Sequence, residues 1–368
     1  MPARPQPPSG FPRHSRRGSV ILFVLGVILL TAFLLTRLID RAGVELLAET
    51  KAGSRTALRD EAYSALEVAL AVLADASAND NGLHAPQQGW DNPLDYAGYQ
   101  PPAGFDLAVA FVDETGKLPL ASTSEAVLQH YLETIGATNP EAERLTDVLL
   151  AWTKADYLPR TSDADPETYA NAALPYAPPQ RPLRTFEELR AVAVARELFF
   201  DADGRWSELG GRFREDVSLQ TFTNVNVNTA RPSVLVALGL DPTRAVALAE
   251  ELTPAADPTR DPKFYRSIAE AAAVHGAELS QAGLGADVQC LRVVVTVRQG
   301  ARVFSLEAVV QPGGTPAAGR AAAAPAALPA ADANARPATP VDPRTLTRKS
   351  IDYPFRILEL RETDGPAQ

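Results

Sequence analysis

The stretch RRGSVILFVLGVILLTAFLLT, residues 16–36, decides the fold. From Ser19 to Thr36 it holds no charged residue, and a run of that length is close to the minimum that crosses a bilayer core. Arg4, Arg13, Arg16 and Arg17 precede it in a segment rich in Pro, Gly and Ser, so residues 1–18 read as a basic leader. The positive flank predicts a cytoplasmic N-terminus, with the rest of the chain across the membrane. A cleaved secretory signal has a shorter apolar core followed by a small-x-small site. Here Arg37, Leu38, Ile39, Asp40 and Arg41 follow instead, and Leu46, Leu47, Leu58, Leu66, Leu70 and Leu73 recur at roughly helical spacing. No proline lies between Ser19 and Ala85. The pattern predicts one helix from Ser19 to about Ala76, about 90 Å long. Its last third places Leu66, Leu70 and Leu73 on one face, against a soluble body.

Outward from this helix, the chain of 368 residues has room for two modest folded units besides an anchor. Its net charge of −10 argues against a body that binds nucleic acid by neutralising phosphates. Cys290 is the single cysteine, which excludes an intrachain disulfide, and His14, His84, His130 and His275 are too scattered for zinc spacing. The 31 prolines predict many loops and helix stops.

A polar loop is expected over Ser77–Gly104. Phe105, Leu107, Val109 and Phe111 then alternate with Asp106, Ala108, Ala110 and Val112, the period of a half-buried strand. The turn Asp113, Glu114, Thr115, Gly116, Lys117 leads to a short extended piece, Leu118–Ala121. Helices follow. Ser122 with Glu125 reads as a capping box for a helix carrying Leu128, Tyr131, Leu132 and Ile135 and stopped by Gly136. Asn139 and Pro140 start a second, with Leu145, Val148, Leu149 and Trp152 inside. Thr185 with Glu188 reads as another capping box, ahead of Leu189 and Val192. After Ala286, Leu291, Val293, Val295 and Val297 oppose Arg292, Val294, Thr296 and Arg298. A Gln299–Gly300 turn then returns the chain through Phe304, Leu306, Ala308 and Val310 as an antiparallel hairpin. Pro312–Arg344 is an Ala/Pro/Gly-rich linker, and Ile351–Arg361 reads as an edge strand because of Pro354.

Asn226, Val227, Asn228, Thr229 and Ala230 precede a helix with Val234, Leu235 and Leu238. Gly239 ends it, and Asp241–Pro242 caps the next, with Val246, Leu248 and Leu252. This helical hairpin also looks like the start of a helix-hairpin-helix DNA module. Against that, Gly239–Leu240–Asp241 lacks the usual glycine pair, only Arg231 and Arg244 add positive charge, and Glu250 and Glu251 oppose it. No nucleophile elbow, P-loop or His-Glu-x-x-His occurs. Asp163, Asp165, Asp201, Asp203 and Asp216 are most simply solvated carboxylates, and Cys290 a passive strand-edge residue.

Arg16–Arg17–Gly18 followed by Ser19, Val20, Ile21, Leu22 and Phe23 resembles the class III leader of type IV pilins and pseudopilins. The resemblance implies cleavage by a prepilin peptidase between Gly18 and Ser19, with N-methylation of Ser19. Most pilins carry Glu at the fifth mature position, where this chain has Phe23; the K-type minor pseudopilins of type II secretion typically lack that Glu. Two further segments resemble the K-type family: the strand running into Asp113, Glu114, Gly116 and Lys117, and the Asn226, Asn228, Thr229, Ala230 motif. Pro119 departs from the small polar residue usual there. Some K-type pseudopilins bind calcium in the helical insert, with an aromatic-x-Asp-x-Asp pattern. The matching Trp152, Thr153, Lys154, Ala155, Asp156 puts Lys154 in place of the first Asp, while the Asp163–Asp165 loop still offers oxygen ligands. Calcium thus stays open, with no ligands assigned.

The resemblance implies an α+β fold: a long N-terminal transmembrane and amphipathic helix on a pilin-like antiparallel sheet, with a mostly helical domain inserted between strands. The expected boundaries are 1–18 leader, 19–36 transmembrane segment, 37–121 pilin-like helix, loop and first strands, and 122–285 inserted helical domain. The sheet returns at 286–311, then comes a 312–345 linker, with a C-terminal strand and tail at 346–368. The implied function is a non-enzymatic minor pseudopilin at the pseudopilus tip, initiating or capping assembly for export across the outer membrane. Its implied partners are the I- and J-type minor pseudopilins, the major pseudopilin, the prepilin peptidase and the inner membrane, with no nucleic acid and the body in the periplasm. A minor pilin of a type IV pilus, and a signal-anchored periplasmic enzyme or DNA-binding protein, are the alternatives.

Overall fold

The computed structural model describes residues 17–171, 175–253, 263–280, 283–313 and 354–366. Residues 1–16 of the expected leader and most of the expected linker lie outside them. Two compact units emerge, Met1–Asp60 and Glu61–Gln368. Helix α1, Arg17–Asp80, contributes to both.

Within the second unit, α1 buries Ala62, Ala65, Leu66, Ala69, Leu70 and Leu73, a stripe at the three- and four-residue spacing of one helix face. Tyr63 Oη donates to Glu362 Oε1 at 2.7 Å, and Tyr99 Oη donates to Glu61 Oε1 at 2.8 Å. The expected loop after α1 is more ordered than its polar sequence suggests. It contains a 3-10 turn, Pro86–Gln88, and helix α2, Pro93–Ala97. Trp90 is buried edge-on against Phe111 at 5.1 Å between centroids, its indole N–H satisfied by Gln88 Oε1 at 3.1 Å.

The main sheet has four antiparallel strands in the order β1 (Asp106–Asp113), β6 (Leu291–Gln299), β7 (Arg302–Pro312), β8 (Phe355–Pro366). Leu291, Val293, Val295 and Val297 of β6 are buried on the same face as Phe304, Leu306, Ala308 and Val310 of β7, as the period-two pattern predicts. β8 is an edge strand that starts directly after Pro354, which needs no ladder hydrogen there.

Between β1 and β6 the chain forms β2 (Leu118–Pro119), α3 (Glu125–Thr134), α4 (Asn139–Thr153), α5 (Pro166–Ala170), α6 (Ala193–Phe199) and α7 (Glu208–Asp216). Then come β3 (Val217–Ser218), β4 (Val225–Asn226), α8 (Pro232–Ala237), α9 (Pro242–Leu252), α10 (Ile268–His275) and β5 (Leu284–Gly285). β2 pairs β3, and β4 pairs β5, as short parallel bridges. The core of this block joins Leu128, Tyr131, Leu149, Phe213, Leu235 and Leu248, and reaches Cys290 and Val309 at the sheet.

Two capping expectations need correction. The N-cap of α3 is Ser124, whose Oγ accepts from Val127 N, not Ser122. Thr185 caps nothing by its side chain; a 3-10 turn, Phe186–Ala191, follows it, Glu188 accepts from Arg184 N at 2.9 Å, and the α-helix starts only at Ala193. In both cases the hydroxyl-to-carboxylate spacing fits a cap, but Ser122 Oγ donates back to Pro119 O and Glu188 is taken by Arg184 N. Val246 of α9 is exposed rather than core.

Because Leu73 is fully buried, Leu73→Ala leaves a cavity and is expected to cost about 2–5 kcal/mol. Leu158→Ala, at a side chain 83% exposed, is expected to stay within about 0.5 kcal/mol. Denaturant unfolding of the detergent-solubilised chain reads both.

Candidate functional site

In the first unit, α1 presents Ile21–Ala42, a segment long and apolar enough to cross a membrane, with a mean hydropathy of 2.5. Its two hydroxyls are satisfied within the helix: Thr31 Oγ1 donates to Ile28 O at 2.9 Å, and Thr36 Oγ1 to Ala32 O at 3.0 Å. In lipid such internal partners matter, because no water replaces them. Phe23 is 73% exposed on this surface. Gly18 and Ser19 fall in the first turn of α1.

The second unit brings the two sequence motifs together. Asn226, fully buried, sits in β4, beside the chain that enters β6. Its amide donates to Asp113 Oδ2 at 2.7 Å and to His84 O at 2.7 Å. Its Oδ1 accepts from Asn228 N at 3.1 Å. Asn228 Nδ2 donates to Tyr265 O at 2.9 Å and Ala286 O at 3.1 Å, while Asn228 Oδ1 accepts from Tyr265 N at 2.7 Å. Thr229 Oγ1 donates to Asp113 Oδ2 at 2.6 Å. Ala230 is buried, its N–H donating to Asn226 O at 3.0 Å. Only a carboxamide supplies donors and an acceptor in this arrangement, so both asparagines are fixed by chemistry.

The Asp113–Lys117 turn is the other half of the clamp. Gly116 lies against Thr229; a Cβ there would stand 2.9 Å from the Thr229 carbonyl, so only glycine fits. Thr115 Oγ1 accepts from Gln289 N at 2.8 Å and Cys290 N at 2.9 Å, anchoring the entry to β6. Glu114, almost fully buried, accepts from Arg292 Nε at 2.8 Å, Lys117 Nζ at 3.1 Å and Ser218 Oγ at 2.7 Å, and Arg292 continues to Glu307.

Neighbouring carboxylates in this turn titrate in opposite directions. Desolvation is the largest influence on both. At Asp113 it prevails over neutral donors from Thr229, Asn226 and Thr115, and the pKa is raised. At Glu114 the Lys117 and Arg292 cations overcome it, and the pKa is lowered. Two cations decide the difference. His84 is buried with its Nδ1 3.0 Å from both Ala286 O and Asp287 Oδ1; the Asp287 carboxylate raises its pKa against the effect of burial.

Reading the sequence missed His84, Tyr265 and Ala286 as partners, because a backbone carbonyl acceptor has no sequence signature. The Cys290 thiol, buried, is pushed up to about 12 by desolvation. Arg231 is paired with Glu215 and Asp216, and Arg244 with Glu278, so the two cations of the helical hairpin are engaged by carboxylates of the same chain. Lys154 Nζ donates to Thr123 O at 3.3 Å, Asp156 is exposed, and Asp163 accepts from Arg144 at 2.7 Å. Among the described residues, no group of three or more His, Cys, Asp or Glu is placed to hold a metal.

Residues 106–201 match the family described as Type II secretion system (T2SS), protein K. That match spans about a quarter of the chain. No curated protein matches it. In fold, the chain is similar to a chain in the crystal structure of the GspK–GspI–GspJ complex from the enterotoxigenic Escherichia coli type 2 secretion system. The TM-score is 0.52 and the identity 15%, over 73% of this chain and 94% of that one. The residues that match the K family contain Asp113–Lys117 and stop short of Asn226–Ala230, so the clamp joins a matched to an unmatched segment.

Asn226→Leu keeps the volume but strands Asp113 and the His84 carbonyl, and is expected to cost about 3 kcal/mol by denaturant unfolding. Asp287→Asn tests the histidine. Its folded pKa is raised, so its contribution is full below the unfolded value near 6.5 and fades as pH rises through the folded one. The variant is expected to lose more stability at pH 6 than at pH 9.

Proposed function

We propose that this chain is a K-type minor pseudopilin that sits at the tip of the type II secretion pseudopilus and initiates or caps its assembly. The family match over residues 106–201 carries the reading. The fold likeness to a chain of a complex named for GspK, GspI and GspJ supports it, as does the exposed apolar Ile21–Ala42 of α1.

On this reading a prepilin peptidase removes residues 1–18, and Ser19 becomes the N-methylated terminus. The chain stays in the inner membrane by one span, with its body in the periplasm. I- and J-type minor pseudopilins and the major pseudopilin pack against its apolar helix through close van der Waals contact. Phe23 suits an end position. A carboxylate at that depth needs a partner, and a subunit with no neighbour beyond it has none to offer. The layout we propose is a pilin-like part, 37–121 and 286–311, interrupted by the helical domain 122–285, whose bulk a regular stack does not accommodate. A linker at 312–345 and a terminal strand and tail at 346–368 complete it.

Expression in a host with prepilin peptidase, followed by intact-mass measurement, is expected to give a chain beginning at methylated Ser19. Co-expression with I- and J-type pseudopilins is expected to yield a detergent-stable complex with them. A mature chain that keeps Met1–Gly18, or that purifies free of both partners, overturns the proposal.

A further inference from the structure

Asp147, in the middle of α4, is 3% exposed. A carboxylate taken out of water needs either a cation or a full set of donors. Asp147 has the donors. Tyr157 Oη and Arg160 N donate to Oδ1 at 2.9 and 3.0 Å. Thr161 N and Thr161 Oγ1 donate to Oδ2 at 2.7 and 2.6 Å. All come from the loop that follows α4, so one side chain closes that loop onto its own helix.

This is the region where the family resemblance leaves calcium open, and its donor chemistry does not fit a cation. Calcium needs oxygens with free lone pairs directed at one point. Around Asp147 the neighbouring groups present hydrogens. The nearby carboxylates are committed elsewhere: Asp163 to Arg144 at 2.7 Å, Asp165 Oδ1 to Glu167 N at the start of α5 at 2.9 Å, and Glu125 to Arg160 at 2.6 Å. Lys154 places a positive charge at the start of the loop and is tied to Thr123 O.

We propose that Asp147 is the anchor of a metal-independent latch, holding the 154–161 loop by hydrogen bonds where a divalent cation would otherwise be needed. The latch locks the Arg160–Glu125 and Arg144–Asp163 pairs into place, and with them the packing of α3, α4 and α5. Its carboxylate pKa is lowered: burial alone would raise it, but the Thr161, Arg160 and Tyr157 donors prevail. The sign of that shift means the latch is intact above the ordinary carboxylate range and is lost in acid.

The test uses the full chain in detergent, with thermal unfolding in EDTA and in millimolar calcium chloride, and metal content measured after dialysis. Because a cation that binds the native state raises its midpoint with concentration, the two midpoints are expected to agree within about 1 °C. No bound calcium is expected. Asp147→Asn is expected to lower the midpoint by about 4 °C or more, equally in both buffers. If that variant does not fold, Thr161→Val, which removes one donor, is expected to give a smaller loss with the same indifference to calcium. Retention of stoichiometric calcium, a midpoint that climbs with calcium, or variants as stable as the parent chain overturns the latch. None of these outcomes bears on the pseudopilin reading, which rests on other residues.

Discussion

Two buried carboxamides have to find every hydrogen-bond partner they need, and the second unit is organised around that constraint. Asn226 and Asn228 lie away from water, where an unpaired amide group costs on the order of 1–3 kcal/mol. Their partners are the His84 carbonyl after α1, the Asp113 carboxylate at the end of β1, the Tyr265 backbone before α10 and the Ala286 carbonyl before β6. Those groups lie up to 144 residues along the chain from the asparagine they bind. No local arrangement satisfies them. Only the native topology does, so the clamp selects one packing of helical block on sheet over the many that apolar contact alone allows.

The Asp113–Lys117 turn shows how one short segment serves two ends. Asp113 holds Thr229 and Asn226 of the block, while Thr115 and Glu114 hold the entry to β6 and Arg292 within it. Glu114 differs in kind from the surface ion pairs such as Arg212–Glu208. An exposed pair is worth little because water screens it. Glu114 is desolvated, and the chain supplies two cations and a hydroxyl to offset that cost. Gly116 closes the joint, since a side chain there would meet the Thr229 backbone.

Period carried most of the fold into view. The 3.6-residue stripe of α1 and the two-residue alternation of β1, β6 and β7 are properties of neighbours in the chain, and they are visible in it. The Asn226–Ala230 motif was visible as a motif but not as a clamp, because its partners are carbonyls and a carboxylate with no periodic signature. Short-range competition explains the smaller misses. Ser122 and Ser124 offer the same hydroxyl, and only backbone geometry chooses Ser124. The segment around Trp90 reads as polar by composition, yet one indole against Phe111 draws it inward. Phe23 is legible as an apolar residue, and it stands exposed on the helix surface.

The apolar segment and the body meet the same requirement by different means. Within Ile21–Ala42, each hydroxyl returns to a carbonyl one turn back, so these hydroxyls need no polar partner from elsewhere. The body does the reverse, with partners drawn from long sequence separations. The family match ends at residue 201. Residues 106–201 carry the Asp113–Lys117 turn, but the donors that complete Asp113, from Asn226 and Thr229, lie beyond it. Within the matched span the Asp113 carboxylate keeps the backbone N–H of Thr115, which reaches only Oδ1. The turn is therefore only half of the interaction that accounts for it. Its chemistry is complete only when the block has folded back through β4 to the sheet.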